Sequence, residues 1–385
     1  MKDVEVQSMA EHYSSIVIFG YGDIGKHLYY ILKEKKEEAV LAYCDNICAK
    51  QGKYGEYEVF SVEDAVEKFQ NALFLITSKV HKENMENQLL GLNVHIDNIQ
   101  FGVTEEAEDY VYRQRRKGKY APMKLLQFEV DIVSHCNLNC KCCSQFSSIA
   151  EEEYIEPKDM EKDFRRLGEL FHNEAGRIYL IGGEPLLHPD IIECMRIARR
   201  HFAKGQISVF TNGILLLQCS REFWLTCSDL GIDIIVTKYP VRIDYEAIKK
   251  KALEYHIGFD FFGTSQDFKY MTNLGLDIEG RQQIEDSFTH CIEANNCVKL
   301  KKGRLYTCTR PAAIYKFNQF FHTDLQESEE DSIDIYKAGT GKEILEFLAK
   351  PIPFCRYCNV CRFFLICKST SLYAPASYPT LSLTI

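Results

Sequence analysis

Short apolar runs alternate along most of this chain with stretches whose apolar residues recur at helical spacing. Ser15–Phe19 and Leu125–Val133 are two such runs, and each is followed by polar or glycine-containing residues. A bounded apolar run predicts a buried strand, and apolar residues three to four positions apart predict a helix. Regular alternation of the two predicts parallel sheets covered by helices. We therefore predict an α/β protein.

The alternation changes along the 385 residues, which predicts three domains and a tail. Residues 1–118 predict a Rossmann-like parallel sheet of about four strands, closed by a strand at 94–96. Residues 119–285 predict a partial (β/α)6 barrel of the TIM type, in which sites form at the carboxyl ends of the strands. Residues 286–370 have little periodicity and seven cysteines, so we expect metal rather than a large core to organise them. Residues 371–385 predict a tail.

Composition excludes several classes of function. The net charge of −9 argues against a nucleic-acid binder, because phosphate binding needs an excess of Lys and Arg. No apolar run approaches the ~18 residues of a membrane helix, and the first residues lack the apolar centre of a signal peptide. We expect a cytoplasmic protein with no membrane span. In a reducing cytosol its sixteen cysteines are expected to be ligands or buried thiols rather than disulfides.

Four cysteines lie in SHCNLNCKCCSQ (134–145), directly after the predicted strand Leu125–Val133. Three of them, Cys136, Cys140 and Cys143, have the spacing C-x3-C-x2-C, which lets three thiolates on a loop converge on one metal centre. Four-cysteine zinc sites use paired C-x2-C units, and this loop has no matching second pair nearby. A [4Fe–4S] cluster has four irons, so three thiolates leave one iron open to a small molecule.

This spacing after a strand resembles that of the radical SAM superfamily. The resemblance implies that Cys136, Cys140 and Cys143 hold a [4Fe–4S] cluster whose open iron binds S-adenosylmethionine (SAM). Cys142 stands where the family has an aromatic residue whose backbone lies near the adenine. The resemblance also implies the reaction: one electron, supplied by a donor such as flavodoxin or ferredoxin, cleaves SAM to a 5′-deoxyadenosyl radical that abstracts hydrogen from a substrate.

The same resemblance implies SAM-binding residues at the next predicted strand ends: Gly182, Gly183, Glu184, Ser208, Thr211, Asn212 and Lys238. The G-G-E stretch matches the one with which the family holds the methionyl amino group, although GGEP alone predicts only a turn. The residues at 208–212 match positions that contact the ribose and adenine, and Asn-Gly is also a common turn. Lys238 is expected to pair with the SAM carboxylate, or else to face water as isolated lysines do.

A second group of cysteines follows residue 286: Cys291, Cys297, Cys308, Cys355, Cys358, Cys361 and Cys367. It resembles the SPASM or shorter Twitch extensions of radical SAM enzymes, which hold auxiliary [4Fe–4S] clusters. Ser371 takes the place of the last cysteine of a full SPASM pattern, and seven thiolates do not complete two clusters, so we expect one. Its predicted ligands are Cys291, Cys308, Cys355 and Cys358, with Cys297 and Cys361 as substitutes. A structural zinc is the alternative.

The N-terminal domain contains FGYGDIG, which places Gly20, Gly22 and Gly25 between a predicted strand and a predicted helix. In this context G-x-G-x-x-G predicts a nucleotide phosphate at the helix N-terminus, and Asp45, after the next strand, is expected to bind a ribose hydroxyl. The domain resembles the small Rossmann-like domains of sugar-modifying proteins. A scaffold for substrate docking or dimer contact is an equally good interpretation.

These features predict a radical SAM enzyme whose catalytic side chains and reaction outcome are not indicated. The Rossmann-like domain favours a small-molecule substrate such as a nucleotide sugar or glycan precursor, and we prefer this class narrowly. The SPASM-like cysteines favour the alternative, an enzyme that modifies a peptide or protein. The rival from another class is a non-catalytic iron–sulfur or zinc protein that senses a ligand.

Overall fold

The structure is a computed structural model that describes residues 13–22, 24–26, 28–29, 32, 40–54, 57–78, 81–102, 125–140, 143–262 and 270–367. These residues form two compact units. The first unit takes the described residues before 115 together with Ala252–Asp260, and the second takes the others. Cys142, the boundary at 118/119 and the tail 371–385 lie outside the described residues. The division into three domains stays a prediction.

The first unit contains β1 (Ser15–Phe19), β2 (Val40–Cys44), β3 (Gly52–Tyr54), β4 (Tyr57–Phe60), α1 (Val62–Lys68), β5 (Leu73–Ile76), α2 (Lys82–Gly91) and β6 (Ile99–Phe101). Its sheet has the order β3-β4-β2-β1-β5-β6, and β1 pairs in parallel with β2 and β5. β1 is central because alternate side chains enter two apolar cores. Ile16 and Ile18 enter one, and Val17 and Phe19 enter the other.

The sheet of the first unit has six strands, where the sequence predicts about four. The antiparallel hairpin β3–β4 was not predicted because its sequence, GKYGEYEVF, is short and rich in charged and tyrosine side chains. The closing strand predicted at 94–96 is wrong. Ile96–Asn98 forms a 3-10 helix whose N-cap residue is His95. The strand that pairs with β5 is Ile99–Phe101.

The remaining elements are β7 (Leu125–Val133), α3 (Pro157–Phe171), β8 (Ala175–Gly182), α4 (Ile191–His201), β9 (Gln206–Thr211), α5 (Arg221–Leu230), β10 (Ile232–Thr237), α6 (Tyr245–Glu254), β11 (Phe259–Phe262), β12 (Tyr270–Leu276), α7 (Ile284–His290), β13 (Lys299–Lys301), β14 (Arg304–Tyr306), α8 (Thr309–Phe321), β15 (Ser332–Asp334), α9 (Gly341–Leu348) and β16 (Cys358–Cys367). One sheet has the order β11-β10-β9-β8-β7-β13-β14-β15, and β12 pairs with β16. Strands β7 to β10 are parallel, so their carboxyl ends share one edge. The predicted α/β class is confirmed.

Helix α3 illustrates how the sequence covers this sheet. Pro157 occupies its first turn, where a missing N–H costs nothing. Met160, Phe164 and Leu167 lie on one face of the helix and are fully buried. Phe164 packs edge-on against Phe128 of β7, with ring centroids 5.6 Å apart. Burial stabilises the fold by about 1.5–3 kcal/mol for each large apolar side chain, which fixes α3 against the strand that leads into the cysteine loop.

The residues after 286 contribute to the same sheet. β13 pairs in parallel with β7 and antiparallel with β14. A cluster of buried apolar side chains, which includes Phe288, Ile314 and Phe354, also lies here. The expectation that this region lacks a sizeable core is therefore wrong, and a role of metal in organising it stays a prediction. These apolar residues come from α7, α8 and the turn Pro353–Tyr357, so no single window of the sequence displays them.

Within the described residues the large sheet remains open, with β11 and β15 as its edges. The chain then continues into β12, which forms a separate antiparallel ribbon with β16. Among all the residues that the structure describes, no helix has the length and apolar character that crossing a membrane requires.

Candidate functional site

The first cysteine group lies on a loop that leaves the carboxyl end of β7 and returns beside it. Ser134 N donates to Glu153 O at 2.9 Å, and Ile155 N donates to Ile132 O at 3.0 Å, so the two ends of the loop are held together. Within the loop Cys140 is buried, and Cys136 and Cys143 are partly exposed. The three predicted ligands therefore share one loop at the edge where β7 to β10 end.

The thiol groups of this loop lie close enough to affect one another. Burial raises the pKa of Cys136 to about 12, and the negative charges of Glu184, Cys143 and Cys140 act in the same direction. Leu138 N donates to Cys136 Sγ at 3.4 Å, which favours the thiolate. The iron-free chain therefore keeps a thiol at Cys136, and binding a metal centre must release its proton.

Gly182 and Gly183 pack directly against the cysteine loop. Gly183 N donates to Val133 O at 2.8 Å, and Glu184 N donates to His135 O at 3.1 Å. A Cβ at Gly182 would overlap the carbonyl of Val133, and a Cβ at Gly183 would overlap that of His135. The two glycines thus have a packing role that the sequence did not indicate, and their predicted contact with SAM stays a prediction.

The carboxylate of Glu184 joins the ends of β8 and β9. It is fully buried and accepts hydrogen bonds from Thr211 Oγ1 at 2.6 Å, Asn212 N at 2.9 Å and Leu186 N at 3.2 Å. Burial raises its pKa to about 7, although these hydrogen bonds act in the opposite direction. Both carboxylate oxygens of Glu184 therefore accept hydrogen bonds from other groups of the protein.

Asn212 connects the end of β9 to the cysteine loop. Its Nδ2 donates to Asn137 Oδ1 at 2.7 Å and lies 3.8 Å from Cys136 Sγ. Ser208 lies inside β9 rather than at its end, with its Cα paired to those of Tyr179 and Asp233. Its hydroxyl is fully buried and has no hydrogen-bond partner among the residues that the structure describes. Asn212 is thus brought to the cysteines, and Ser208 is not.

The end of β10 contributes Lys238 and a residue that the sequence did not indicate, Tyr239. Lys238 Nζ lies 3.7 Å from the ring centroid of Phe261, a cation–π contact. The hydroxyl of Tyr239 lies beside Cys140, and its pKa is raised by burial first and by the neighbouring cysteines of the loop second. Tyr239 adjoins Lys238 in VTKYP, but nothing in that pattern predicts contact with a loop about a hundred residues earlier.

The four predicted ligands of the second cysteine group, Cys291, Cys308, Cys355 and Cys358, are all buried and are brought together. The thiol of Cys308 is affected by the charges of the other three, and burial is the main cause of its raised pKa. Cys297 instead lies near Glu129, Glu293 and Cys291. Cys361 and Cys367 lie on β16, and their side chains are outside the description. The assignment of ligands stays a prediction.

Arg310, which the sequence did not indicate, is a buried cation beside three of these cysteines, Cys291, Cys308 and Cys358. It is 3% exposed, and its Nε lies 3.5 Å from Glu293 Oε2. Its charge lowers the pKa of Cys358, though burial raises that pKa by more, to about 12. Across the described part of the chain, no group of three or more His, Cys, Asp or Glu side chains has an arrangement that could hold a single metal ion.

The N-terminal glycine motif is held by the protein itself. Gly20 has a φ of +117°, and a Cβ at Gly25 would overlap the carbonyl of Gly20, so both positions require glycine. A Cβ at Gly22 would meet no atom within 4 Å. Asp45 accepts hydrogen bonds from Tyr21 N and Ile47 N, both at 2.8 Å. Its two oxygens thus bind backbone groups, which favours the scaffold interpretation; nucleotide binding stays a prediction.

The residues of the first cysteine loop fit a [4Fe–4S] cluster. Its described donor atoms are the sulfurs of Cys136, Cys140 and Cys143, and soft thiolates are the ligands that iron–sulfur clusters take. Asn212 and the backbone of Leu138 supply donors to one of these sulfurs. Hydrogen bonds of this kind from outside the ligand set orient the ligands and tune the metal.

Comparison with curated proteins finds GTP 3',8-cyclases among the relatives. A probable GTP 3',8-cyclase of Pyrococcus abyssi is 28% identical over 134 residues, which is 34% of this chain and 38% of the relative. The GTP 3',8-cyclase of Aquifex aeolicus is 28% identical over 273 residues, which is 62% of this chain and 78% of the relative. The chain spans about two fifths of the length of the first curated relatives that it matches.

Among solved structures, BtrN in complex with AdoMet and 2-DOIA is 18% identical, with a TM-score of 0.41, and covers 66% of this chain and 98% of its own. The structure of anSMEcpe with bound AdoMet is 20% identical, with a TM-score of 0.29, and covers 35% of this chain and 42% of its own. The model of the Radical SAM superfamily matches residues 130–238, the segment that runs from the cysteine loop to Lys238. This segment is therefore a radical SAM domain.

Proposed function

We propose that this chain is a radical SAM enzyme that uses Cys136, Cys140 and Cys143 as cluster ligands and abstracts hydrogen from a small-molecule substrate. When bound, a [4Fe–4S] cluster and SAM supply the 5′-deoxyadenosyl radical with which this superfamily begins its reactions. One observation carries the proposal: three cysteines share a loop at the carboxyl end of β7, inside the segment that matches the family. Three thiolates leave one iron without a protein ligand, open to SAM.

The chain's own residues would position the cofactors rather than react. Glu184 fixes the ends of β8 and β9 to each other. Asn212 then places its amide beside Asn137 and Cys136. The hydroxyl of Tyr239 adds a polar group beside Cys140. We propose that this set holds the cysteine loop in a fixed position and excludes water around it.

We infer that the substrate is a small molecule with a nucleotide or sugar part. The names of the curated relatives give GTP as their substrate, and the N-terminal unit has the strand order of nucleotide-binding α/β sheets around β1. We also propose that Cys291, Cys308, Cys355 and Cys358 hold an auxiliary [4Fe–4S] cluster, because they are buried together.

The test of the activity is anaerobic reconstitution with iron and sulfide, followed by dithionite, SAM and measurement of 5′-deoxyadenosine. We expect Cys143→Ala to abolish its formation and Cys142→Ala to leave a substantial part of it. Zinc in place of iron, or no 5′-deoxyadenosine from an iron-replete sample, would contradict the proposal. Equal loss in both folded variants would contradict the choice of ligands.

The substrate class is tested by adding GTP, nucleotide sugars and peptide fractions separately to the reconstituted protein. We expect nucleotides or nucleotide sugars to increase 5′-deoxyadenosine formation above the rate with SAM alone. Stimulation by the peptide fraction only would favour a peptide-modifying enzyme and exclude the substrate proposed here. The assay needs no knowledge of the product, since it follows the cleavage of SAM.

A further inference from the structure

Lys316 is a buried lysine of α8 that reaches the cysteine loop from a distant part of the chain. It is 4% exposed. Its Nζ donates to Ser134 O and to Gln145 O, both at 3.2 Å. These two carbonyls belong to the first and last residues of SHCNLNCKCCSQ. The ammonium group therefore lies at the neck of the loop that carries Cys136, Cys140 and Cys143.

An ammonium group is costly to bury unless polar groups surround it. The groups near Lys316 that act to favour its charged form are, largest first, Asp131, Cys143 and Glu153. Asp131 is already paired with another lysine, Lys299, at 2.7 Å. Asp131 therefore compensates two lysines, and the two carbonyls add hydrogen bonds to Lys316. In turn, each of these buried carbonyls would lose a charged donor if Lys316 were removed.

The loop has other contacts, and those of Ser134 lead to Glu151 and Glu153, which follow Gln145 in the chain. Ser148 Oγ donates to Cys140 O at 3.1 Å within the loop itself, and Asn212 contacts Asn137 near the first cysteine. On α8, Gln319 contacts Glu151 at 2.8 Å, but this pair is exposed. Lys316 binds both 134 and 145, so these two carbonyl oxygens lie within twice 3.2 Å of each other.

We propose that Lys316 is a positioning residue that closes the cysteine loop and sets the positions of Cys136, Cys140 and Cys143 before iron binds. The inference rests on the proposed function only for the identity of the metal centre. The closure of the loop itself is a property of the iron-free chain. Since α8 begins directly after Cys308, the same helix connects the second cysteine group to the first.

The test is hydrogen–deuterium exchange of the full iron-free chain. In Lys316→Met we expect the amides of residues 138–149 to exchange at least ~10-fold faster, because a charged hydrogen bond is lost at two buried carbonyls. Lys316→Arg keeps the charge and the donors and should restore exchange to within about threefold of the unmodified chain. Gln319→Ala removes the exposed contact of the same helix with the same loop and should change exchange by less than threefold.

Unchanged exchange of the loop in Lys316→Met would overturn the inference. So would faster exchange spread equally over α8 and β13, since that result indicates lost packing. If Lys316→Met does not fold, Lys316→Gln, whose side chain is uncharged and one atom shorter, takes its place with the same criteria. After reconstitution, we expect Lys316→Met to alter the electron paramagnetic resonance spectrum of the reduced cluster and Lys316→Arg to retain it. If the unmodified chain takes up no iron, the proposed function fails while the exchange result still decides this inference.

Discussion

The carboxylate of Glu184 binds donors from two neighbouring strand ends, at Leu186, Thr211 and Asn212. The family resemblance gave this residue a role toward SAM. In the structure its oxygens are occupied by the protein, and the residue fixes Asn212, which itself faces the cysteine loop. Its contribution to a bound cofactor would therefore be indirect, through the position of its neighbours.

The raised pKa of Glu184 predicts a pH-dependent stability. The folded chain holds this proton up to about pH 7, whereas an unfolded Glu releases it near its ordinary value. The stabilisation is therefore complete below the unfolded pKa and is lost as the pH rises through the folded one. Between pH 5 and 7.5 we expect the unmodified iron-free chain to lose roughly 2–3 kcal/mol of unfolding free energy relative to Glu184→Gln.

The measurement is guanidinium unfolding of both proteins at several pH values. Glu222→Gln, in which the altered side chain is 64% exposed, is the control and should follow the unmodified chain. Parallel pH profiles for Glu184→Gln and the unmodified chain would show that Glu184 does not titrate in this range.

At the scale of elements, β8 and the cysteine loop pack with no room for a side chain at Gly183. A Cβ there would overlap the carbonyl of His135. We expect Gly183→Ala to lower the unfolding free energy by at least ~3 kcal/mol or to displace the loop, because backbone cannot yield as a flexible side chain does. Displacement of the loop would reduce the iron bound by the first cysteine group.

Gly339→Ala is the matched control, since an added Cβ there would make only an ordinary contact with Glu343 at 3.8 Å. Thermal unfolding and iron content measured side by side check the prediction. An alanine at 183 that leaves both quantities at the values of the control would contradict the packing described here.

The strands and helices of the radical SAM domain could be predicted because each has a local pattern. The run Leu125–Val133 and the helical spacing after Pro157 are confirmed. The hairpin β3–β4 has no apolar run, and β13 to β15 are only three residues long, so their pairing was not predicted. Their place in a sheet is decided by tertiary contacts rather than by local propensity.

The candidate site also has residues that a local pattern indicates and residues that only tertiary contacts bring into place. Cysteine spacing and the G-G-E stretch are local, so the sequence alone singled out this loop and this strand end, and their roles as ligand sites stay predictions. Lys316, Tyr239 and Arg310 act through contacts that span the fold. The bond from Lys316 to Ser134, for example, joins residues 182 positions apart. A lysine, a tyrosine or an arginine in a helix or loop gives no signal of such a partner.

At the scale of the whole molecule, the two cysteine groups predict two separable metal centres. We expect about eight iron atoms per reconstituted chain, since each [4Fe–4S] cluster has four. Replacing Cys136, Cys140 and Cys143 with alanine should leave about four, and so should replacing Cys355 and Cys358. Each loss should leave the other centre in place, because the two groups use different segments of the chain.

Iron and sulfide analysis of the three proteins checks this expectation. Cys194→Ala, at a buried thiol of α4, is the control and should retain the full amount. Zinc in the variant that keeps only the second group would support the structural zinc considered from the sequence. Loss of all iron on removal of either group would mean that the centres are interdependent.

The contact between Lys316 and the cysteine loop also orders events during synthesis of the chain. The carbonyls of Ser134 and Gln145 lie 182 and 171 residues before their donor. At about 5–20 residues per second, the ribosome needs on the order of ten to thirty seconds to add that length. During this interval the cysteines have been made while the lysine that closes their loop has not. If Lys316 closes the loop as proposed, iron delivered before residue 316 emerges would meet an open loop, so maturation of this centre would follow the synthesis of α8.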